Sequence, residues 1–164
     1  MTGFEPGLFN KLFDDDRRGP ASPALRNFSL EEMKNAVARD LETLLNTRMV
    51  FTEQMLTGLD QCKSSVLTYG LNDFSGLSLA SFNDRTFICR SIELAIGRHE
   101  PRLKEVVVKL ELDGQSNTSV LYFSITALLT LPAMKEPVNF DALLQPTTLQ
   151  YSVTRGASKA RNYP

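Results

Sequence analysis

Apolar residues recur at helical spacing in two stretches of the chain. The first stretch begins at Ser29, which forms a predicted capping box with Glu32, while Phe28 and Met33 form a predicted hydrophobic staple. The pattern predicts a helix over residues 29–46. One stripe of this helix is apolar and is typical of a surface that faces a core: Leu30, Met33, Val37, Leu41, Leu44 and Leu45.

The second helical stretch ends at a proline. Asp84 is the predicted N-cap, and the helix is expected to end near His99 or Glu100, because the residue before Pro101 is excluded from the helical region. The predicted apolar face consists of Phe87, Ile88, Ile92, Ala95 and Ile96.

Beyond Pro101 the period of the pattern changes from 3.6 to 2, which predicts strands. The predicted strands cover 104–112, 119–129 and 147–154, with Pro132 and Pro137 closing the second one. Helices followed by strands with short connections indicate an α+β fold: two main helices, then a three-stranded antiparallel sheet. The residues predicted to face inward in the first and third strands are Val106, Val108, Leu110, Leu112, Leu149, Tyr151 and Val153.

The segment between the two helices is long and only partly apolar. Val66, Leu67 and Tyr69 are predicted to begin an extended segment, and "GLNDFSG" is predicted to be a structured loop. A connection of this length is unusual unless it packs on the domain or binds something.

The two ends differ in composition from the middle, and three parts are predicted. Residues 1–28 are a leader with a short N-terminal amphipathic helix, residues 29–154 form a single α+β domain, and residues 155–164 are a basic, disordered tail. The leader helix is too short to be stable alone, so it must dock, either on its own domain or on a partner. Its apolar residues are Leu8, Phe9, Leu12 and Phe13.

The composition argues against several classes of partner. The net charge is -1, which favours neither nucleic acid nor a membrane surface, and no apolar run is long enough for membrane insertion. No signal-peptide pattern is present, and Cys62 and Cys89 have no motif spacing. We therefore expect two reduced, partly buried thiols in a cytoplasmic protein.

The candidate chemistry is sparse. A single histidine, His99, and two distant cysteines do not make a metal site, and no nucleotide-binding or serine-hydrolase motif occurs, so neither cofactor nor metal is expected. Glycoside hydrolysis needs two carboxylates at a defined separation, and Glu93, Glu100 and Glu105 show no such pairing in sequence. His99 at a helix end is expected to interact with the helix dipole. An interaction module is therefore favoured over an enzyme.

Three segments carry a resemblance to a known family. "SVLTYGLNDFSGLS", "IELAIGRHEPRLKEVVVKLE" and "LYFSITALL" resemble the baseplate wedge proteins of contractile injection machines, and the leader "GLFNKLFDD" resembles that of the type VI secretion baseplate subunit TssE. The resemblance covers about residues 7 to 153, and its most specific element is the triplet Glu100, Pro101 and Arg102. His99 departs from the family pattern, in which an apolar residue is expected.

The resemblance implies a structural role without catalysis. It implies docking on two larger wedge subunits through the triplet, and attachment of contractile sheath subunits by strand addition, in the cytoplasm at the inner face of the membrane. Pro101 would fix the chain direction, Arg102 would offer its fork to a carboxylate or to backbone carbonyls, and Glu100 would hold that fork or pair with a partner. A surface ion pair contributing about 0 to 1 kcal/mol is the simpler reading. Alternatives for the whole chain are a lysozyme-like peptidoglycan hydrolase and a generic α+β adaptor.

Overall fold

The computed structural model describes residues 29–51, 54–78, 81–111, 120–132, 134–145 and 147–156. The order of elements is helix α1 (Leu30–Asn46), two 3₁₀ turns (Asp60–Ser64 and Val66–Thr68), helix α2 (Phe82–His99), and four strands. The strands are β1 (Leu103–Glu111), β2 (Leu121–Leu131), β3 (Met134–Gln145) and β4 (Gln150–Arg155). The predicted leader helix and nearly all of the predicted tail lie outside the described residues.

Helix α1 begins with the predicted capping box. The Ser29 hydroxyl accepts the Glu32 N–H at 3.2 Å, and the Ser29 N–H donates to the Glu32 carboxylate at 2.8 Å. Such a cap satisfies two N–H groups at the helix end and stabilises it by about 1 kcal/mol. The apolar stripe is confirmed, because five of its six residues are buried and Leu30 packs beside them.

Helix α2 ends where it was predicted to end, but its start was predicted wrongly. The N-cap is Ser81, whose hydroxyl accepts the Asp84 N–H, and Asp84 lies in the first turn with its carboxylate accepting the Ser78 N–H. Phe87 is also not part of the buried face, since it is 53% exposed. It packs edge-on against Phe74 instead, with the ring centroids 6.4 Å apart.

The sheet has four antiparallel strands in the order β1-β2-β3-β4, and not the three predicted. The missed strand, β3, contains Pro137, which was interpreted as a terminator. Pro137 is tolerated because β4 pairs with β3 only from Phe140 onward. The Asn139 carbonyl accepts the Gly156 N–H on the β4 side, so the backbone of Pro137, two residues earlier, faces the same, unpaired side. Its missing N–H therefore costs no ladder bond.

Both helices cover one face of this sheet, and the apolar residues of all four strands point toward them. Helix α2 packs along β1 and helix α1 packs along β4. The core between the two layers is centred on Phe123 and Phe140, which are each 1% exposed. The opposite face of the sheet carries exposed side chains such as Lys109 and Ser152.

Strand β1 contains an irregularity near its start. Its register with β2 shifts between Lys104 and Val107, and Glu105 has a φ of 53°, a left-handed conformation that is rare for this residue type. The bulge sets the alternation that follows, so Val106, Val108 and Leu110 face inward as predicted. In β4 the prediction is confirmed for Tyr151 and Val153. It is wrong for Leu149, which lies in the preceding turn with a φ of 54°.

The connection between the helices is not extended where it was predicted to be. Val66 and Leu67 belong to a 3₁₀ turn and are exposed, and Tyr69 follows that turn. The chain then returns to α1, where Leu71 exchanges backbone hydrogen bonds with Thr47 and Met49, each of 2.9 Å. Gly70 allows this approach, because an added Cβ would lie 2.5 Å from the Thr47 carbonyl oxygen. The loop is thereby fixed beside the ends of both helices.

Candidate functional site

The predicted triplet forms the corner between α2 and β1. Glu100 is the C-cap of α2 and its N–H donates to the Ile96 carbonyl at 2.8 Å. Pro101 and Arg102 make the turn, after which the Leu103 N–H returns to the Glu100 carbonyl at 3.1 Å. The Arg102 carbonyl accepts the Thr130 N–H at 2.8 Å, which joins the corner to β2. The chain direction is therefore set by backbone bonds on both sides of the proline.

The Arg102 guanidinium is bound within the domain. Its Nε donates to Glu100 Oε1 at 2.7 Å, and its Nη2 donates both to Glu100 and to Asp40 of α1. Its Nη1 lies 3.9 Å from the sulfur of Met33, also on α1. Arg102 thus ties the end of α2 to the middle of α1, and we call Asp40, Glu100 and Arg102 the corner network.

Burial and charge oppose each other in the corner network. Burial alone lowers the pKa of Arg102, but the hydrogen bonds and negative charges of Glu100 and Asp40 outweigh it and raise the pKa overall. The pKa of Tyr69 is raised chiefly by its partial burial, and then by the charges of Asp40 and Glu100. The guanidinium remains charged, as a group with two bound carboxylates should.

His99 joins the corner to the loop between the helices. Its Nε2 lies 2.8 Å from the Thr68 carbonyl oxygen, and its ring packs edge-on against Tyr69 with the centroids 5.3 Å apart. Burial lowers the pKa of His99, and the nearby Arg98 adds to this effect, although the hydrogen bond to Thr68 opposes it. A neutral imidazole that donates to a carbonyl is a structural link. The expected interaction of a charged His99 with the helix dipole is therefore not its main role.

The outer surface of the corner remains open to solvent. Pro101 is exposed, and the Asp40 side chain is 45% exposed, whereas the Glu100 side chain is only 6% exposed. The accessible part of the triplet is therefore its proline, with a carboxylate of α1 beside it. A rigid, exposed corner of this kind suits recognition by another protein.

The surroundings of the Glu100 carboxylate, one cavity and the potential metal ligands complete the description of the site. Both oxygens of Glu100 accept hydrogen bonds from Arg102. A cavity lined by Met49, Leu71 and Leu94 among others has a volume of about 40 Å³. Pockets that bind small molecules have volumes of roughly 300 to 1,000 Å³. Among the described residues, no group of three or more potential ligands is placed to hold a metal ion.

The outer edge of β4 is a second candidate surface, and helix α1 covers it. Asn46 accepts the Tyr151 N–H and donates to the Tyr151 carbonyl, each at 2.8 Å, and Glu42 accepts the Val153 N–H at 2.8 Å. A four-residue step along a helix advances about 6 Å, and a two-residue step along a strand about 6.6 Å. Side chains at i and i+4 on α1 therefore match backbone groups at i and i+2 on β4.

A side chain of helix α2 also covers the outer edge of β1. Glu93 accepts the Val108 N–H at 3.0 Å. Both cysteines are free thiols and partly buried, as expected. Burial is also the main reason that the pKa of the Cys89 thiol is raised.

The sequence predicted the triplet but missed its partners. Asp40 is separated from Arg102 by 62 positions, and its connection with the corner was not predicted. The one available signal is that Asp40 lies seven residues after Met33, hence on the same face of α1. The predicted leader contacts through Leu8, Phe9, Leu12 and Phe13 lie outside the described residues and stay predictions.

The family of the chain follows from a comparison of its sequence with known families. The sequence model of the family described as "Baseplate wedge protein gp25" matches residues 31–132, which run from the first turn of α1 to the end of β2 and include the whole corner. The chain belongs to the gp25 family of baseplate wedge proteins. The match covers more than half of the chain, and it confirms the resemblance inferred above.

Two further comparisons accompany the gp25 match. A chain in the solved structure "The baseplate complex from the type VI secretion system" aligns over 70% of this chain and 96% of its own length, with 17% identity and a TM-score of 0.48. Among curated proteins, none matches this gp25-family chain significantly. No helix within the described ranges is long and apolar enough to cross a membrane.

Proposed function

We propose that this protein is a structural wedge subunit in the baseplate of a type VI secretion machine, and that it acts by binding other subunits without catalysis. The observation that carries the proposal is the gp25 family match over 31–132. The type VI branch is favoured by the leader, "GLFNKLFDD", which resembles that of TssE. The proposed location is the cytoplasm, at the inner face of the membrane. No cofactor is required.

The first proposed contact is the corner, which would dock on the larger wedge subunits. Arg102 donates hydrogen bonds to Glu100 and Asp40. It would therefore serve docking by holding the corner rigid. The surfaces left for a partner are the exposed Pro101 and the exposed side of Asp40. A preorganised contact loses little conformational entropy on binding, which favours affinity. The predicted direct contact of the Arg102 guanidinium with a carboxylate or with backbone carbonyls of a partner stays a prediction beside this indirect role.

The second proposed contact is with the contractile sheath, by strand addition. In this mode a strand of the sheath subunit adds to a sheet edge and gains main-chain hydrogen bonds. The described sheet has two outer strands, β1 and β4, and each is covered by side chains of a helix. An incoming strand that pairs with β1 or β4 must therefore displace one of these covers, and initiation of the sheath at either strand would include that step.

A pull-down with the two larger wedge subunits tests docking through the corner. We would replace the exposed Pro101 by Glu in one variant and by Arg in another, because opposite charges separate steric blocking from electrostatics. Both variants should keep a melting temperature within about 4 °C of the wild type, the most that loss of a proline is expected to cost, and bind the wedge subunits at least about tenfold more weakly, or roughly 1.4 kcal/mol.

The matched control is Ser152, which is exposed on the open face of β4. Ser152→Glu and Ser152→Arg should co-purify with the wedge subunits like the wild type. If both Pro101 variants also co-purify like the wild type, the corner is not the docking surface.

A further inference from the structure

The covers of the two edge strands differ in how well they imitate a paired strand. On β4, Asn46 both accepts from and donates to the backbone of Tyr151, which is the bonding pattern of a neighbouring strand. On β1, the Glu93 carboxylate accepts the Val108 N–H. An ionised carboxylate has no donor, so it cannot satisfy a strand carbonyl. The cover of β1 is thus the less complete of the two.

Glu93 also has a second partner to which it can turn. Its Oε1 accepts from Val108 on β1, while its Oε2 accepts from Arg90 at 3.3 Å. The Arg90 side chain is 68% exposed, so a carboxylate that leaves β1 keeps its ion pair and gains water. Asn46 has no comparable second position, because both ends of its amide are bound to Tyr151. Release of Glu93 from β1 is therefore easier than release of Asn46 from β4.

The exposed face of β1 defines what kind of segment would fit there. Val107 is 43% exposed, and it is followed by the exposed charged residues Lys109 and Glu111. The bulge at Glu105 limits regular pairing to the part of the strand beyond it. A suitable segment is short and extended, with an apolar side chain beside Val107 and charges of both signs beyond it.

We propose that β1, over residues 107–111, is the edge that receives the sheath strand, and that Glu93 closes this edge until the strand arrives. The backbone carbonyl of the incoming strand takes the Val108 N–H from Glu93, which moves to Arg90. The inference rests on the proposed function, because it assumes strand addition by a sheath subunit. It adds the choice of edge and the residue that controls access.

The closing role of Glu93 is tested first in the full-length free protein. Glu93→Ala should speed the hydrogen exchange of the Val108 amide at least about tenfold, whereas Glu93→Gln, which keeps an acceptor oxygen, should change it by less than about threefold. Sedimentation should show concentration-dependent self-association for Glu93→Ala alone, since an open edge pairs readily with another copy. Unchanged exchange at Val108 in Glu93→Ala would overturn the closing role.

The choice of edge is tested by peptide-level hydrogen exchange before and after co-assembly with the sheath subunit of the same machine. We expect new protection over 107–111, none over 150–155, and binding of Glu93→Ala at least as tight as that of the wild type. New protection over 150–155, or tighter binding of Asn46→Ala alone, overturns the choice of β1 but keeps strand addition. Sheath binding without new protection in either strand overturns both, and absence of sheath binding contradicts the proposed function itself.

Discussion

Replacement of Arg102 by alanine is the most informative change to the domain itself. The substitution leaves the Glu100 carboxylate, whose side chain is 6% exposed, without its cation. Removal of one partner from a buried ion pair costs about 3 to 5 kcal/mol. We expect the lower end, about 3 kcal/mol, because the Arg102 side chain is itself 25% exposed. The bond to the half-exposed Asp40 adds about 0.5 kcal/mol or less.

Thermal unfolding measures this loss directly. For a chain of this size 1 kcal/mol corresponds to roughly 2 to 4 °C, so Arg102→Ala should lower the melting temperature by about 6 to 12 °C. Arg102→Lys keeps the positive charge without the planar guanidinium group. Its melting temperature should therefore lie between those of the wild type and Arg102→Ala. Arg90→Ala is the matched control, because the Arg90–Glu93 pair is at the surface and contributes about 0.5 kcal/mol or less.

A second substitution separates the lost ion pair from lost packing. Glu100→Gln removes the carboxylate that Arg102→Ala leaves uncompensated, so the double variant should be more stable than the sum of the two single losses predicts. A melting temperature of Arg102→Ala within about 2 °C of the wild type would refute the reasoning. The expected instability is also the reason why Pro101 tests docking better than Arg102 does.

Two further predictions concern the loop and the leader. Because burial lowers the pKa of His99 below about 6.5, its usual value, the contribution of His99 to stability is full above that pH and is lost as the pH falls through the lowered pKa. The wild type should therefore lose more melting temperature between pH 7.5 and 5.5 than His99→Gln, and equal losses would contradict the neutral link to Thr68. Deletion of residues 1–20 separates the two predicted roles of the leader: a loss of several degrees in melting temperature indicates docking on the domain, whereas loss of wedge binding at unchanged melting temperature indicates docking on a partner.

Local patterns predicted the helices well, because their determinants are close in sequence. The capping box spans Ser29 to Glu32, and the end of α2 is fixed by Pro101. Strand β3 was missed because Pro137 usually ends a strand, and only the tertiary pairing shows that its missing N–H faces an unpaired edge. The α+β class was correct while the strand count was not.

The determinants of the candidate surfaces are distant in sequence. Glu42 reaches Val153 across 111 positions, and Asp40 reaches Arg102 across 62. Hydrophobic periodicity does not encode such pairs, because a polar residue beside an apolar stripe looks the same whether it faces water or a strand edge. The triplet was found through family resemblance, whereas its internal network required the structure.

Membership in a baseplate is the central claim, and affinity purification from the native host tests it most directly. The full-length chain, tagged and expressed at its natural level, would be isolated and its partners identified by mass spectrometry. We predict enrichment of the larger wedge subunits with the wild type, and at least tenfold less of them with the Pro101→Glu variant. Recovery of the wild-type chain without any baseplate subunit would contradict the account.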